Sequence, residues 1–222
     1  MKTAIIIGTT GLVGSSLLKQ LLDSDQYSTV ISVGRRMSGQ KHEKLQELVT
    51  NLDNISDLEL SVTPDIAFCC LGTTMKKAGS KEAFYKVDYK YVEAFANWAK
   101  QHDVKVFSVI SAMGADPESF FYYNQVKGKI EENLSDIGFD ALHIFRPSLL
   151  LGDREELRIG EDIGKLLNSI LSPVIPKRYK GIKAFNVAKV MLLKSIEATL
   201  GTHIFPSDEI QNIASQLTEN AK

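Results

Sequence analysis

Tyr123 and Lys127 are the residues whose types and spacing could carry proton-transfer chemistry. They stand four positions apart in a segment with helical periodicity, so they share one face of a helix. A tyrosine with its usual pKa of about 10 is a poor acid–base catalyst at neutral pH, and a neighbouring ammonium lowers that pKa. The spacing predicts a Tyr–Lys pair for acid–base catalysis, although it is also common on ordinary surface helices.

Ser111 is a third candidate because it directly follows a strand-like apolar run over residues 104–110. In open parallel sheets, ligands bind near the carboxyl ends of the strands. We therefore expect the Ser111 hydroxyl to hold a substrate carbonyl oxygen beside Tyr123, which gives a candidate catalytic set of Ser111, Tyr123 and Lys127.

The elements that would position these side chains alternate between strands and helices. Because the strands are short apolar runs without polar alternation, we expect them to be buried on both faces. That pattern predicts an α/β protein with a doubly wound parallel sheet, the Rossmann fold. Strands are predicted over residues 3–7, 29–33, 65–71, 104–110 and 141–145, and helices over 12–22, 80–102, 121–134, 161–171 and 185–200, while 45–49 fits either a strand or a turn of helix.

The alternation ends near Pro147, and about 75 residues seldom form an independent core. We therefore predict a single domain over residues 1–222, in which residues 148–222 are a small C-terminal extension that contributes the substrate pocket. The apolar residues of this part either line that pocket or belong to the core; they are Leu149 to Leu151, Leu166, Leu167 and Ile170. The basic stretch from Lys177 to Lys183 is either a site for an anionic ligand or a solvated loop.

Glycines follow the first predicted strand at G-x-x-G-x-x-G spacing and lead into the first helix. The first glycine permits a tight turn, the second lets the backbone approach a pyrophosphate, and the third lets the helix pack closely on the strand. The free amides of the helix N-terminus favour phosphate. This context favours a dinucleotide-binding turn rather than an ordinary βα turn. The residues predicted to bind the cofactor are Gly8, Thr9, Thr10, Gly11, Leu12, Val13 and Gly14.

Arg35 and Arg36 stand at the end of the second strand, where an NAD site carries an acidic residue. A carboxylate there would repel a 2′-phosphate, whereas guanidinium groups bind phosphate in bidentate fashion. The two arginines therefore predict NADP(H) as the cofactor, the alternative being that they are solvated loop residues.

Composition excludes several other classes of protein. The net charge of −1 over 222 residues argues against a nucleic-acid partner, and no run approaches the ~20 apolar residues that span a membrane. The adjacent Cys69 and Cys70 and the lack of a signal peptide lead us to expect a reducing, cytoplasmic location. We expect no metal site, because the histidines are dispersed, and the sequence carries no signal for an oligomeric state; the histidines are His42, His102, His143 and His203.

Taken in order, the motifs resemble the short-chain dehydrogenases/reductases, and within them the atypical NAD(P)-binding branch of the Tat-interactive oxidoreductase family. The resemblance covers most of the chain, and its motifs are Gly8-Thr9-Thr10-Gly11-Leu12-Val13-Gly14, Gly34-Arg35-Arg36, Cys70-Leu71-Gly72-Thr73-Thr74, Ser111-Ala112-Met113-Gly114-Ala115-Asp116, Tyr123-Asn124-Gln125-Val126-Lys127-Gly128 and Phe145-Arg146-Pro147-Ser148.

The resemblance implies a role for each matching residue. Tyr123 would exchange the proton, Ser111 would orient the substrate oxygen, and Lys127 would also bind the nicotinamide ribose. The backbone around Pro147 would approach the nicotinamide amide, and the residues lining the cofactor after the fourth strand would be Leu71, Gly72 and Thr73. Many members carry an asparagine for proton relay where this chain has Asp88, which puts the relay in doubt.

These observations predict an NADP(H)-dependent oxidoreductase that moves a hydride to or from a small carbonyl or alcohol substrate. Two alternatives remain from the same residues. One is a regulatory protein that senses NADP(H) and binds a protein partner, and the other is an epimerase or dehydratase that keeps its cofactor bound.

Overall fold

The computed structural model of the chain describes residues 1–152 and 177–219. Its centre is a parallel sheet of seven strands in the order β3-β2-β1-β4-β5-β6-β9. These strands are β1 Lys2–Ile7, β2 Tyr27–Gly34, β3 Leu45–Val49, β4 Ile66–Cys69, β5 Val106–Ile110, β6 Ala141–Arg146 and β9 Gly201–Pro206. A separate parallel pair joins β7 (Leu150–Leu151) to β8 (Ile182–Lys183).

Helices cover both faces of the sheet. One apolar cluster joins it to α1 (Leu12–Asp23), α6 (Ala184–Glu197) and α7 (Ser207–Glu219). A second cluster, on the opposite face, joins it to α4 (Tyr91–Gln101), α5 (Tyr122–Ile137) and a 3-10 turn over Leu52–Asp57. The short helices α2 (Met75–Ala78) and α3 (Lys81–Tyr85) follow β4.

Strand β1 explains why its sequence lacks polar alternation. Ala4 and Ile6 belong to the first apolar cluster, whereas Ile5 and Ile7 belong to the second. All four side chains are fully buried. A central strand of a doubly wound sheet needs apolar residues on both faces, so the predicted fold class is confirmed.

The C-terminal part contains a strand of the main sheet that the sequence did not predict. Part of it completes the main sheet, because β9 pairs with β6 over the whole of its length, and α6 and α7 build one of the apolar clusters. The predicted helix over residues 161–171, together with Leu166, Leu167 and Ile170, lies outside the described residues.

The predicted helix over 80–102 is interrupted. Residues Lys86–Lys90 form a π turn between α3 and α4. A π turn carries an extra residue and locally rewinds a helix, and such turns are frequent at functional sites. The ambiguous segment 45–49 forms a strand, β3, at one edge of the sheet.

The strand order reverses direction between β1 and β4. From β1 the chain adds strands toward one edge of the sheet, and from β4 it adds them toward the other edge. Such a point leaves a crevice at the carboxyl ends of the two central strands, where ligands of open α/β sheets bind. The glycine turn after β1 and residues 70–74 after β4 therefore face the same crevice.

Candidate active site

The glycine turn lies tightly against the end of β4. Gly8 has φ +88°, and a Cβ on it would lie 2.5 Å from the carbonyl carbon and oxygen of Cys70. A Cβ on Gly14 would lie 2.2 Å from the Gly8 carbonyl oxygen. Any larger residue at either position would force backbone apart, so glycine is required for the turn itself and for the packing of α1 on it.

The N-terminus of α1 is left open toward the crevice. Gly11 occupies the N-cap position, and no side chain of the described residues caps the first amides. Uncapped amides at a helix N-terminus favour an anion such as a pyrophosphate. This geometry fits the phosphate-binding role predicted for the turn.

A cavity of about 350 Å³ adjoins the glycine turn. Arg35 and Arg36 reach it from the end of β2, and both are exposed. Leu52, from the 3-10 turn after β3, adds an apolar wall that sequence reasoning missed. The full lining is Ile7, Gly8, Thr9, Thr10, Gly34, Arg35, Arg36, Leu52 and Leu71. An apolar wall beside two guanidinium groups suits an adenosine that carries a phosphate.

Lys127 forms a buried ion pair with Asp88. Its Nζ lies 2.7 Å from Asp88 Oδ1, and the two side chains are 4% and 0% exposed. The other carboxylate oxygen of Asp88 accepts a hydrogen bond from the backbone N–H of Thr73 at 2.9 Å. A Cβ on Gly72 would lie 3.5 Å from Asp88 Oδ1 and 3.9 Å from Lys127 Nζ, so the chain after β4 lies directly against the pair.

The pair sets the charge state of its surroundings. Burial is the largest influence on Lys127 and opposes its charge, but Asp88, Tyr123 and Cys69 together outweigh burial and raise the lysine pKa. The pKa of Tyr123 is also raised, by burial, which the ammonium of Lys127 opposes and the carboxylate of Asp88 reinforces. The Tyr123 ring packs on Phe84 of α3, with ring centroids 5.3 Å apart.

Ser111 has a partner that the sequence did not suggest. Its buried hydroxyl donates to the carboxylate of Glu131, and Arg146 donates to both oxygens of the same carboxylate. Glu131 follows Lys127 by four residues on α5, so the spacing that related Tyr123 to Lys127 could also have placed Glu131 on that face. The predicted substrate-orienting role of Ser111 would require its hydroxyl to leave Glu131.

Pro147 continues from β6 beside the end of β5. Its carbonyl oxygen accepts a hydrogen bond from the Met113 N–H at 3.0 Å, and the Ser111 N–H donates to the Phe145 carbonyl at 2.7 Å. The backbone that the resemblance places near the nicotinamide is thereby held at the carboxyl edge of the sheet.

Among residues 1–152 and 177–219, no group of His, Cys, Asp or Glu could hold a metal ion, and no helix in this part is long and apolar enough to cross a membrane. Lys177–Tyr179 form a 3-10 turn, and the next carbonyl, of Lys180, accepts a hydrogen bond from Ser148.

Comparison with known proteins identifies the family. The sequence model of the NAD dependent epimerase/dehydratase family matches residues 4–125, more than half of the chain. The chain belongs to that family. Protein HTATIP2 of Rattus norvegicus is 38% identical over 164 residues, which cover 72% of this chain and 67% of the rat protein. The family resemblance that the motifs indicated is thereby confirmed.

Other proteins are similar over more of the chain. The mitochondrial protein FMP52 of Candida albicans is 33% identical over 197 residues, 86% of each chain. Among solved structures, MoeE5 in complex with UDP-glucuronic acid and NAD aligns with a TM-score of 0.71 at 14% identity, over 98% of this chain and 82% of MoeE5. The Bordetella bronchiseptica enzyme WbmH in complex with NAD⁺ aligns with a TM-score of 0.70 at 16% identity, over 100% of this chain and 81% of WbmH. Structural likeness at this identity supports the fold.

Proposed function

We propose that this epimerase/dehydratase-family protein is an NADP(H)-dependent oxidoreductase of the short-chain type, acting on a small carbonyl or alcohol substrate. The observation that carries the proposal is the position of Lys127, buried against Gly72 at the end of β4 and one helical turn from Tyr123. An acid–base tyrosine beside a fixed ammonium, next to a dinucleotide-type glycine turn, suits hydride transfer coupled to proton transfer.

In this proposal each residue has one task. The cofactor, when bound, supplies or accepts a hydride at its nicotinamide ring. Tyr123 Oη exchanges the proton with the substrate oxygen, and Lys127 binds the nicotinamide ribose. The glycine turn holds the pyrophosphate, and residues 71–73 and the Pro147 backbone lie along the nicotinamide half. Ser111 orients the substrate oxygen once its hydroxyl has turned away from Glu131.

The preference for NADP(H) rests on Arg35 and Arg36. They line the cavity beside the glycine turn, and no carboxylate is among the residues that line it. The solved neighbours named above contain NAD, so the phosphate preference is proposed for this chain on its own residues.

An epimerase or dehydratase that keeps its cofactor bound is the second candidate, and the family match favours it. The two candidates differ in net redox change. If the second candidate is correct, purified protein should release one equivalent of a nicotinamide nucleotide when it is denatured. The native protein should then oxidise no added NADPH.

The proposal is tested by titrating NADPH and NADH separately and screening carbonyl compounds for NADPH oxidation. We expect tighter binding of NADPH and turnover with at least one carbonyl class. Tyr123→Phe should keep NADPH affinity and lose turnover by at least about a hundredfold, the order expected for a general acid–base group. Tyr122→Phe is the matched control, since this neighbouring phenol donates to the Lys81 carbonyl and should be dispensable. Full activity in Tyr123→Phe would refute the proposal.

The role of Ser111 is tested in the same binding and turnover assays. If Ser111 holds the substrate oxygen, Ser111→Ala should lower kcat without changing NADPH affinity.

We also propose a cytoplasmic location, because Cys69 and Cys70 are both free. The name of the relative FMP52 places that protein in mitochondria, so cell fractionation with a mitochondrial marker decides between the two compartments.

A further inference from the structure

We propose that Asp88 is a positioning residue that keeps Lys127 charged and fixed beside Tyr123, and that this neutral ion pair leaves Tyr123 as a resting proton donor for carbonyl reduction. The inference rests on the proposed function, and it adds that the resting protein is set up for the direction of carbonyl reduction.

The geometry gives Asp88 two fixed partners. One carboxylate oxygen binds Lys127 from α5, and the other accepts the N–H of Thr73 from the segment after β4. Asp88 itself comes from the π turn, a third element. The carboxylate thus ties together the three segments that surround the ammonium, and it does so with no exposed surface. A lysine held in this way has its position set before any ligand arrives.

Burial makes the carboxylate necessary. A buried ammonium without a partner tends to lose its proton, because desolvation penalises the charged form. Within the described part of the chain, the charged and titratable groups that act on Lys127 and Tyr123 are Asp88, the Cys69 thiol at the end of β4, and each other. Burial raises the pKa of Cys69 to about 12, so that thiol is neutral and Asp88 supplies the negative charge that balances Lys127.

The balance has a consequence for Tyr123. A lone ammonium would draw Tyr123 toward phenolate, whereas an ion pair without net charge does so weakly. The buried phenol therefore rests protonated at neutral pH. In reduction, a bound reduced nicotinamide would supply a hydride to the substrate carbonyl carbon, and Tyr123 Oη would give its proton to the carbonyl oxygen as the π electrons move there. The products would be an alcohol and the oxidised cofactor, and the Tyr123 phenolate would regain its proton from solvent.

The test follows the protons of Tyr123 and Lys127 in the 222-residue chain, without cofactor or substrate. Tyrosine is labelled with ¹³C at Cζ and lysine with ¹³C at Cε, and chemical shifts are recorded from pH 6 to pH 10. Tyr123→Phe and Lys127→Met assign the two signals by removing them. Asp88→Asn removes the charge and keeps the shape. Asp53→Asn is the matched control, because Asp53 pairs with Lys86 of the same π turn at the surface, 2.7 Å away.

We expect both Tyr123 and Lys127 to stay protonated up to pH 10 in the wild type. In Asp88→Asn, Lys127 should lose its proton within the recorded pH range, as other buried lysines without a partner do, and in Asp53→Asn neither signal should change. If Asp88→Asn does not fold, Asp88→Glu replaces it, and Lys127 should remain protonated at pH 9. Deprotonation of wild-type Tyr123 below pH 8, a Lys127 that stays protonated up to pH 10 in folded Asp88→Asn, or loss of the Lys127 proton at pH 9 in Asp88→Glu would overturn the inference.

These titrations need no turnover, so they separate this inference from the proposed function. Protein that binds no NADPH but gives the expected titrations would refute the proposed function and leave the charge assignment intact. Protein that reduces carbonyls with NADPH but fails the titrations would refute the role of Asp88 alone.

Discussion

Replacing Arg35 and Arg36 gives the sharpest test of cofactor choice. Both side chains line the cavity beside the glycine turn, and in the described structure neither is engaged in a salt bridge. They are thus free to bind a 2′-phosphate, which NADPH has and NADH lacks. The variants are Arg35→Ala, Arg36→Ala and the double substitution.

The expected magnitude follows from exposure. A hydrogen bond to a charged group contributes about 1.5–3 kcal/mol, and both arginines are exposed, which favours the lower end of that range. That is about tenfold in affinity for each arginine. The double variant should lose about a hundredfold for NADPH, less if the two share one phosphate oxygen. Affinity for NADH should stay within about twofold.

The assay is fluorescence titration with each cofactor at low and at physiological salt. Lys41→Ala is the control, because Lys41 lies exposed in the loop after β2 and does not line the cavity. A variant that merely lowers the overall positive charge should weaken NADPH binding at low salt only. Equal losses for NADPH and NADH, or equal wild-type affinities for the two, would refute the assignment of Arg35 and Arg36.

Three further perturbations test the packing around the site. Lys127→Met strands the buried Asp88 carboxylate and should cost about 3–5 kcal/mol in urea unfolding, whereas adding Asp88→Asn should recover at least half of that loss. Gly14→Ala places a Cβ 2.2 Å from the Gly8 carbonyl oxygen, so the NADPH-induced rise in Tm should shrink or disappear. Burial raises the pKa of Tyr27 to about 12, so the unfolded chain loses this proton first and stability should fall by about 2 kcal/mol between pH 10 and 12. Tyr27→Phe should lose less over that interval, and a parallel loss in both proteins would exclude Tyr27 as the cause.

The central half of the sheet could be predicted because its signals are local. Ile5 and its neighbours form an unbroken apolar run that only a doubly covered strand needs, and the glycine turn follows it directly. The strand order β3-β2-β1-β4, which the structure supplies, places that turn at the switch point of the sheet. Arg35 and Arg36 were predicted from their position at the end of the second strand, and both line the cavity beside the glycine turn.

Other features depend on contacts that spacing along the chain does not record. Strand β9 was missed because its residues are mostly exposed at the sheet edge and carry little apolar signal. Leu52 reaches the cavity through a 3-10 turn of mixed polarity. The partnership of Ser111 with Glu131 joins a strand end to a helix 20 residues away, which no local pattern encodes.

The π turn at Lys86–Lys90 makes the site sensitive to chain length. Successive residues of a regular α-helix are rotated by about 100°, so deleting one residue from this turn would swing the preceding side chains around the helix axis relative to α4. Asp88 and the core residues Phe95 and Trp98 could then no longer all face inward. A one-residue deletion should therefore damage the ion pair more than most substitutions would. Among relatives, an insertion or deletion at this turn would mark chains in which the lysine must find its counter-charge elsewhere.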